Sequence, residues 1–386
     1  MVNFKYYNPA KIVFGAGSQN ELAELLKEEG VTSLLMVYSG DFIKELGIYD
    51  AVERAAKELG IEFTENGEVK PNPSVELVRK LVEQGKEKKV DFVLAVGGGS
   101  SIDTAKAVAL GIPYDGDVWD FFYNGAVPQK VLGVGVITTL PASGSETSNA
   151  AIISNGEWKL GFEDNRIVPK FAIMNPEYTL SLPAYQTNVG IADILSHLLE
   201  RYFSDVSHTD VTDYMIEGAV KALLINARRL IDNPRDLDAR SEIQWLASIA
   251  HNNLLDTGRI GDWGSHRIEH ELSAQYGITH GEGMAVVMVA WTKYVAKVKP
   301  YKLAQLAVRV FGEDSFNNTE EELALRLSEH LKGFFRSLDL KTSLTELNIG
   351  KEHFDEMAER ATRNGSVGHY INLDKRLFKA VLEAAI

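Results

Sequence analysis

A parallel-sheet α/β domain followed by an all-α domain is the fold class this sequence predicts, and three observations carry it. At 386 residues the chain exceeds the ~250–300 residues at which one hydrophobic core stops growing, so two domains are expected. Up to about Pro183, short β-rich apolar runs alternate with amphipathic helical patterns, the signature of strands laid parallel with helices on both faces. Beyond that point every long segment has helical periodicity. The expected domains are therefore 1–183, α/β, and 184–386, all-α.

Taken in order, LLMVYSG (34–40) predicts a buried strand, and AVERAAKELG a helix after it. VELVRKLVEQGKEKKV is apolar at helical spacing, and FVLAVGGGSSIDTAKAVAL is a strand that breaks on glycines into a helix. VLGVGVITTLPASGSE and FAIMNP give two more buried strands. The second half reads as successive helices: NVGIADILSHLLERYF, DYMIEGAVKALLINARRLI, EIQWLASIAHNNLL, GSHRIEHELSAQY, EGMAVVMVAWTKYVAKV, EELALRLSEHLKGFFRSL and KRLFKAVLEAAI. Neither an internal repeat nor a low-complexity tract interrupts them.

Composition narrows the function. An apolar share of 45% and a charged share of 24% are those of an ordinary globular chain, and a net charge of -14 argues against a nucleic-acid partner. With no cysteine, disulfides, thiolate ligands, iron–sulfur clusters and a cysteine nucleophile are excluded, and any metal must sit on His, Asp or Glu. The opening MVNFKYYNPAKIVFG lacks the apolar run of a signal peptide, and no segment is long and apolar enough for a membrane span. The expected location is the cytoplasm.

Gly97, Gly98 and Gly99 directly follow an apolar strand and lead through Ser100 and Ser101 into a helix carrying Asp103 and Lys106. A glycine turn lets a diphosphate approach the backbone, and the helix start offers N–H groups and a positive dipole end. The spacing is not G-x-G-x-x-G, so the turn alone reads equally as a plain strand-to-helix connection. In a parallel sheet, a nucleotide phosphate is the better reading. At the end of the 34–40 strand, where an acidic residue would favour NAD by bonding the ribose 2′-hydroxyl, Ser39 and Gly40 leave NADP open. Asp41 next to them serves either there or as an N-cap of the following helix.

Asp193 and His197 share one face of an apolar helix, where an unpaired carboxylate would be costly. His266 and His270 share a face of a second helix, and His280 lies beyond it, in what reads as the loop YGITHGEG. One carboxylate with two or three imidazoles suits Fe(II), Zn or a similar ion acting as a Lewis acid. The pentad HRIEH also spells the His-x-x-Glu-His pattern of inverted zinc proteases, with His266 and His270 as ligands and Glu269 as base. That alternative gives Asp193, His197, His280 and the parallel-sheet half no role. Trp263 and Tyr202 read either as pocket lining or as core.

The motifs GGGSSIDTAK, TTLPASGSE, NPEYTLSLPAYQTNVGIADILSHLLERYF and TGRIGDWGSHRIEHELSAQYGITHG, collinear over essentially the whole chain, resemble those of the iron-containing (group III) alcohol dehydrogenases, in their butanol dehydrogenase-like branch. The resemblance implies the dehydroquinate synthase-like architecture of that family. It implies metal-dependent, NAD(P)H-linked hydride transfer between nicotinamide and a small primary alcohol or aldehyde such as butanol or butanal. It assigns Asp193, His197, His266 and His280 to the metal, usually Fe(II) with Zn or another divalent ion as substitutes, and leaves His270 facing the substrate as proton donor or positioning group. Glu269 has no task under this assignment. The cofactor contacts fall on Ser39, Gly40, Gly97, Gly98, Gly99, Ser100, Asp103, Thr138, Thr139 and Lys159. Ser39 and Gly40 match a position that goes with NADP(H) in the similar butanol dehydrogenases, so NADP(H) is favoured over NAD(H). A homodimer is expected by the same resemblance. A polyol dehydrogenase of the glycerol type and a dehydroquinate synthase-like lyase are alternatives within the superfamily. A non-enzymatic nucleotide-binding protein would make the four ligands coincidental.

Overall fold

A computed structural model describes residues 1–386. The strands are β1 (Lys11–Phe14), β2 (Ser33–Tyr38), β3 (Glu62–Asn66), β4 (Phe92–Gly97), β5 (Gly133–Thr138), β6 (Ala150–Asn155), β7 (Trp158–Glu163) and β8 (Phe171–Met174). The helices of the first half are α1 (Leu22–Glu28), α2 (Phe42–Glu45), α3 (Ile48–Leu59), α4 (Val75–Glu87), α5 (Gly99–Gly111) and α6 (Trp119–Tyr123). Those of the second half are α7 (Ala184–Tyr202), α8 (Asp210–Asp232), α9 (Leu237–His251), α10 (Gly264–Tyr276), α11 (His280–Val298), α12 (Tyr301–Phe311), α13 (Glu320–Ser337), α14 (Phe354–Ala361) and α15 (Lys375–Ala384). No helix is long and apolar enough to cross a membrane.

Contacts divide the chain into two units. The sheet unit comprises Tyr7–Leu182 and Arg235–Asn252; the helical unit comprises Met1–Tyr6, Pro183–Pro234 and Asn253–Ile386. Periodicity alone placed α9 with the other late helices, but its contacts are within the sheet unit. There Ser248 on α9 donates to Glu146, and Thr147 donates to the Ser248 carbonyl.

In the sheet unit six parallel strands run in the order β1-β8-β5-β4-β2-β3. Every residue of β2 and β4 is buried, as expected of strands covered on both faces. Leu35, Val37, Val93 and Ala95 point into one apolar layer and Leu34, Met36, Leu94 and Val96 into the other. The period of two thus divides each strand between two cores. The α4 sequence buries Val75, Val78, Leu81 and Val82 at helical spacing, and Ser74 caps it by accepting the Leu77 amide at 3.3 Å. The connections run outward from β2 to β3 but in the opposite sense from β4 through β5 to β8, so the strand order reverses between β2 and β4. That reversal is where parallel sheets bind ligands, outside the carboxyl ends of the strands. The antiparallel pair β6–β7, with Gly156 at φ 57° in its turn, has no counterpart in the sequence reading.

In the helical unit α7 is buried continuously from Val189 to Tyr202. Its polar residues therefore need partners within the protein, and this requirement organises the site.

Candidate functional site

Within the sheet unit, the strand ends on either side of the sheet reversal assemble one candidate site. Tyr38 of β2 lies opposite Val96 of β4, and Gly97 lies opposite Thr138 of β5. Parallel register alone therefore brings Ser39, Gly97 and Thr138 together. Gly97 has φ 143°, and a Cβ there would come within 2.6 Å of Ser101 Oγ and 3.5 Å of Ser39 Oγ. A side chain would both strain the backbone and fill the turn. Thr139 donates its amide to the Gly97 carbonyl at 3.1 Å, holding the β5 end against the turn. Gly98 caps α5, whose first residues are Gly99 and Ser100. The hydroxyls of Ser101 and Thr138 are buried without a hydrogen-bond partner, polar atoms that a bound polar ligand would satisfy.

Not every expected cofactor residue faces this turn with a spare group. Asp103 accepts from Ser145 Oγ at 2.6 Å and from the Ile152 amide at 3.1 Å, so its carboxylate fastens α5 both to the segment before β6 and to β6 itself. Burial raises its carboxyl above the usual range, opposed by the Lys106 charge and the Ser145 hydrogen bond, and also by Lys159. Lys106, fully buried, donates to Ser145 Oγ at 2.9 Å and to the carbonyls of Ser148 at 2.9 Å and Ala150 at 2.8 Å. Burial pushes its ammonium down to about 8, with the charges of Asp103 and Glu146 pulling the other way. Lys159 is buried on β7. Gly40 adopts φ 73°, and Asp41 forms an ion pair with Lys44 at 2.8 Å. Asp41 stands at the N-cap position of α2, as the alternative expected, but its side chain makes no capping hydrogen bond and the carboxylate is turned to the lysine.

The helical unit, taken by itself, carries a second cluster. Asp193 and His197 are one turn apart on α7, His266 and His270 one turn apart on α10, and His280 is the first residue of α11. The expectation that His280 sits in a loop is thus corrected. The loop is only the stretch from Gly277, left-handed at φ 67° after α10, to Thr279. Gly281 lets α11 approach α7, since a Cβ there would meet the Val189 carbonyl at 2.0 Å.

Asp193 Oδ1 lies 3.4 Å from His197 Nδ1 and 3.4 Å from His280 Nε2. Potential ligand atoms of Asp193, His266 and His280 all fall within 4.8 Å of one another. The His197 ring, outside that tightest group, is 4.8 Å from the His266 ring between centroids. Bonds of ~2.1 Å at tetrahedral angles separate two ligands by roughly 3.4 Å, so the Asp193 spacings suit a first-row divalent ion. His266 Nε2 is buried with no hydrogen-bond partner, an imidazole lone pair placed for such an ion. Glu269, His270 and His280 form a second close group, but there Glu269 accepts a direct hydrogen bond from His280 Nδ1. That contact orients a ring and leaves its Nε2 for Asp193's side. The rings of His270 and His266 meet edge-on at 6.3 Å, and those of His270 and His280 lie tilted at 5.7 Å. His270 thus borders the cluster.

Two carboxylates complete it. Glu200, one turn after His197, accepts from His266 Nδ1 at 2.9 Å, from the Trp263 and His266 amides at 2.6 and 2.9 Å, and from Ser265 Oγ. Burial works to raise its carboxyl, but the hydrogen bonds and charge of His266, with Ser265, outweigh it and hold it below the usual range. Glu269, wholly buried, accepts from His280 Nδ1 and Ser273 Oγ. Glu269, to which the sequence assigned no task, is thus hydrogen-bonded to His280 and Ser273. Glu200 went unnoticed, although a glutamate three residues beyond His197 in an apolar helix was the available signal. Trp263 packs its ring 5.2 Å from His266 with the Arg201 guanidinium 4.7 Å over it, beside the cluster. Tyr202 is core, its hydroxyl bonded to Glu217 and Gln305.

Comparison with known proteins identifies what the chain is similar to. Residues 9–176 match the family model described as iron-containing alcohol dehydrogenase, and residues 187–386 match that of the C-terminal part of the Fe-containing alcohol dehydrogenase family. The chain is 38% identical to a probable NADH-dependent butanol dehydrogenase of Bacillus subtilis (strain 168), over 100% of both chains. It is 31% identical to the NADPH-dependent aldehyde reductase of Escherichia coli (strain K12), over 98% of this chain and 100% of the other. The crystal structure of NADH-dependent butanol dehydrogenase A from Thermotoga maritima superposes with a TM-score of 0.94 at 37% identity, covering 99% of this chain and 98% of that one.

Proposed function

We propose, for a chain that belongs to the iron-containing alcohol dehydrogenase family, that it reduces small aldehydes such as butanal to primary alcohols with NADPH in preference to NADH, using a divalent metal ion, Fe(II) or Zn. As a member of that family it is an oxidoreductase of the alcohol dehydrogenase/aldehyde reductase type. The observation that carries the metal part is Asp193 Oδ1 at 3.4 Å from both His197 Nδ1 and His280 Nε2, with the partnerless His266 Nε2 buried in the same cluster. Asp193, His197, His266 and His280 would hold the ion, which supplies Lewis acidity to a carbonyl oxygen when bound. Nitrogen and oxygen donors without thiolate suit Fe(II) as well as Zn.

In the sheet unit the Gly97–Gly99 turn and the first amides of α5 are read as the diphosphate cradle, with Ser100, Thr138 and Thr139 beside it. Asp103 acts from behind, by fixing the segment that Ser145 and Ile152 belong to, and Lys159 adds positive charge. Ser39 and Gly40 bring no carboxylate to the ribose position, and the Lys44 partner offsets the charge of Asp41, which favours tolerance of a 2′-phosphate. A reduced nicotinamide held there would supply a hydride to a carbonyl carbon. His270 would supply, directly or through water, the proton that the product hydroxyl requires, because imidazole exchanges protons near neutral pH.

The test is an anaerobic panel of short aldehydes and of glycerol-type polyols, each with NADPH and NADH, with metal content measured on the same sample. The proposal expects metal-dependent reduction of the aldehydes and a higher kcat/KM with NADPH. Turnover of polyols alone would reassign the substrate class, and a preference for NADH would overturn the Ser39–Gly40 reading.

A further inference from the structure

We propose that Glu200 and Glu269 are positioning residues that fix the tautomer and orientation of His266 and His280, forming with Asp193 a closed loop of carboxylate–imidazole contacts through α7, α10 and α11. The inference rests on the metal-site reading above and deepens it. Each step is a contact between different helices. Glu200 on α7 takes the Nδ1–H of His266 on α10 at 2.9 Å; Glu269 on α10 takes the Nδ1–H of His280 on α11. Asp193 on α7 faces the other nitrogen of that same His280 at 3.4 Å.

A carboxylate can only accept, so a ring nitrogen bonded to it carries the proton, and a neutral imidazole then has its lone pair on the opposite nitrogen. Both rings are thereby set with Nε2 as the electron-pair donor, and both Nε2 atoms belong to the cluster around Asp193. The two glutamates are also almost wholly buried, 1% and 0% exposed. Their other acceptor positions are occupied: Glu200 by two backbone amides and Ser265, Glu269 by Ser273. A carboxylate clamped on several sides cannot swing away, which suits a group whose function is to hold another. The two are not equivalent. Glu200 also serves the start of α10 through the Trp263 and His266 amides, so Glu269 gives the cleaner experiment.

The test uses the full-length protein stripped of metal, with Co2+ alone as probe. Three properties are measured for wild type, Glu269→Gln, Glu269→Ala, Glu200→Gln and His280→Ala: Co2+ affinity by chelator competition, the visible ligand-field band of bound Co2+, and histidine tautomers by 15N imidazole resonances. Outer partners of a metal-bound histidine are typically worth 10–100-fold in metal affinity. Glu269→Ala should therefore weaken Co2+ by about that factor and alter the band. His280 should shift from pure Nδ1–H to a tautomer mixture while His266 stays unchanged. Glu269→Gln, which retains an acceptor oxygen, should restore the tautomer and part of the affinity. Glu200→Gln should weaken Co2+ through His266 alone, and circular dichroism verifies that α10 survives. An unchanged His280 tautomer together with Co2+ affinity within twofold of wild type in Glu269→Ala would overturn the proposal. Should wild type take up no Co2+, or His280→Ala hold it as tightly, the metal reading fails by itself, and the His280 tautomer still decides whether Glu269 positions the ring.

Discussion

The glycine turn of the sheet unit and the histidine cluster of the helical unit reach their geometry by different routes. At the turn, Ser39, Gly97 and Thr138 are neighbours because three parallel strands end in register, and what they offer a ligand is backbone and hydroxyl. At the cluster, Asp193, His197, His266 and His280 come from three helices, and their directions depend on carboxylates behind them. The first site is a property of the backbone and tolerates changes of side chain that keep the space open. The second is a property of side-chain chemistry, and losing one charged group disturbs its neighbours.

Substitutions at the two sites should therefore fail differently. The largest effect is expected from Asp193→Ala. It removes the carboxylate between His197 and His280, so metal content should fall towards zero and aldehyde turnover by on the order of 10³-fold, polarisation by an ion being worth several kcal/mol. Cofactor affinity, read by fluorescence of bound NADPH, should change little. Conversely, Gly97→Val forces a side chain into a backbone at φ 143° and onto Ser101. It should raise the NADPH KM by about tenfold or more, through lost contacts worth ~1.4 kcal/mol, with metal content unchanged.

Behind the turn, Lys106→Met strands the acceptors of Ser145, Ser148 and Ala150 in a buried setting. A loss of roughly 3–5 kcal/mol is expected, the range for removing one member of a buried charged set, and urea unfolding measures it. Behind the cluster, burial and the Glu200 charge push the Asp262 carboxyl up to about 7. The native state then holds a proton that the unfolded state has released between the ordinary carboxyl range and pH 7, so stability falls as pH rises through that window and levels off above it. The thermal midpoint of wild type should be lower at pH 8 than at pH 5 by an amount that shrinks in Asp262→Asn. The smallest effect is Ser39→Asp. A carboxylate at the ribose end should shift the NADPH-to-NADH ratio of kcat/KM toward NADH by on the order of tenfold, a single charge–charge contact near the surface.

The same contrast explains what could be read without coordinates. Buried strands and amphipathic helices announce themselves by period, so β2, β4, β5, β8, α3, α4 and the long helices of the second half were legible, as was the glycine turn. The β6–β7 pair was not, because SNGEWKLGFE carries a short, half-exposed pattern with no sustained alternation. The placement of α9 with the sheet was hidden because periodicity tells which face is apolar and not which partner covers it. Within the site, residues with unusual chemistry stood out from the sequence. Glu200 and Glu269 did not, since a glutamate in a helix is ordinary until its burial is known. His280 was misplaced by one turn of reasoning: the glycines around it suggested a loop, whereas Gly281 is there so that α11 can begin close against α7.

The central claim is that Asp193, His197, His266 and His280 hold a metal ion used in aldehyde reduction while His270 serves the proton. Metal content and butanal turnover, measured side by side on anaerobically prepared wild type, His280→Ala and His270→Ala, test it most directly. About one ion per chain is expected in wild type and His270→Ala, little in His280→Ala, and turnover in His270→Ala lowered ~10²–10⁴-fold. Loss of metal from His270→Ala with full retention in His280→Ala, or undiminished butanal reduction by metal-free wild type, would contradict it.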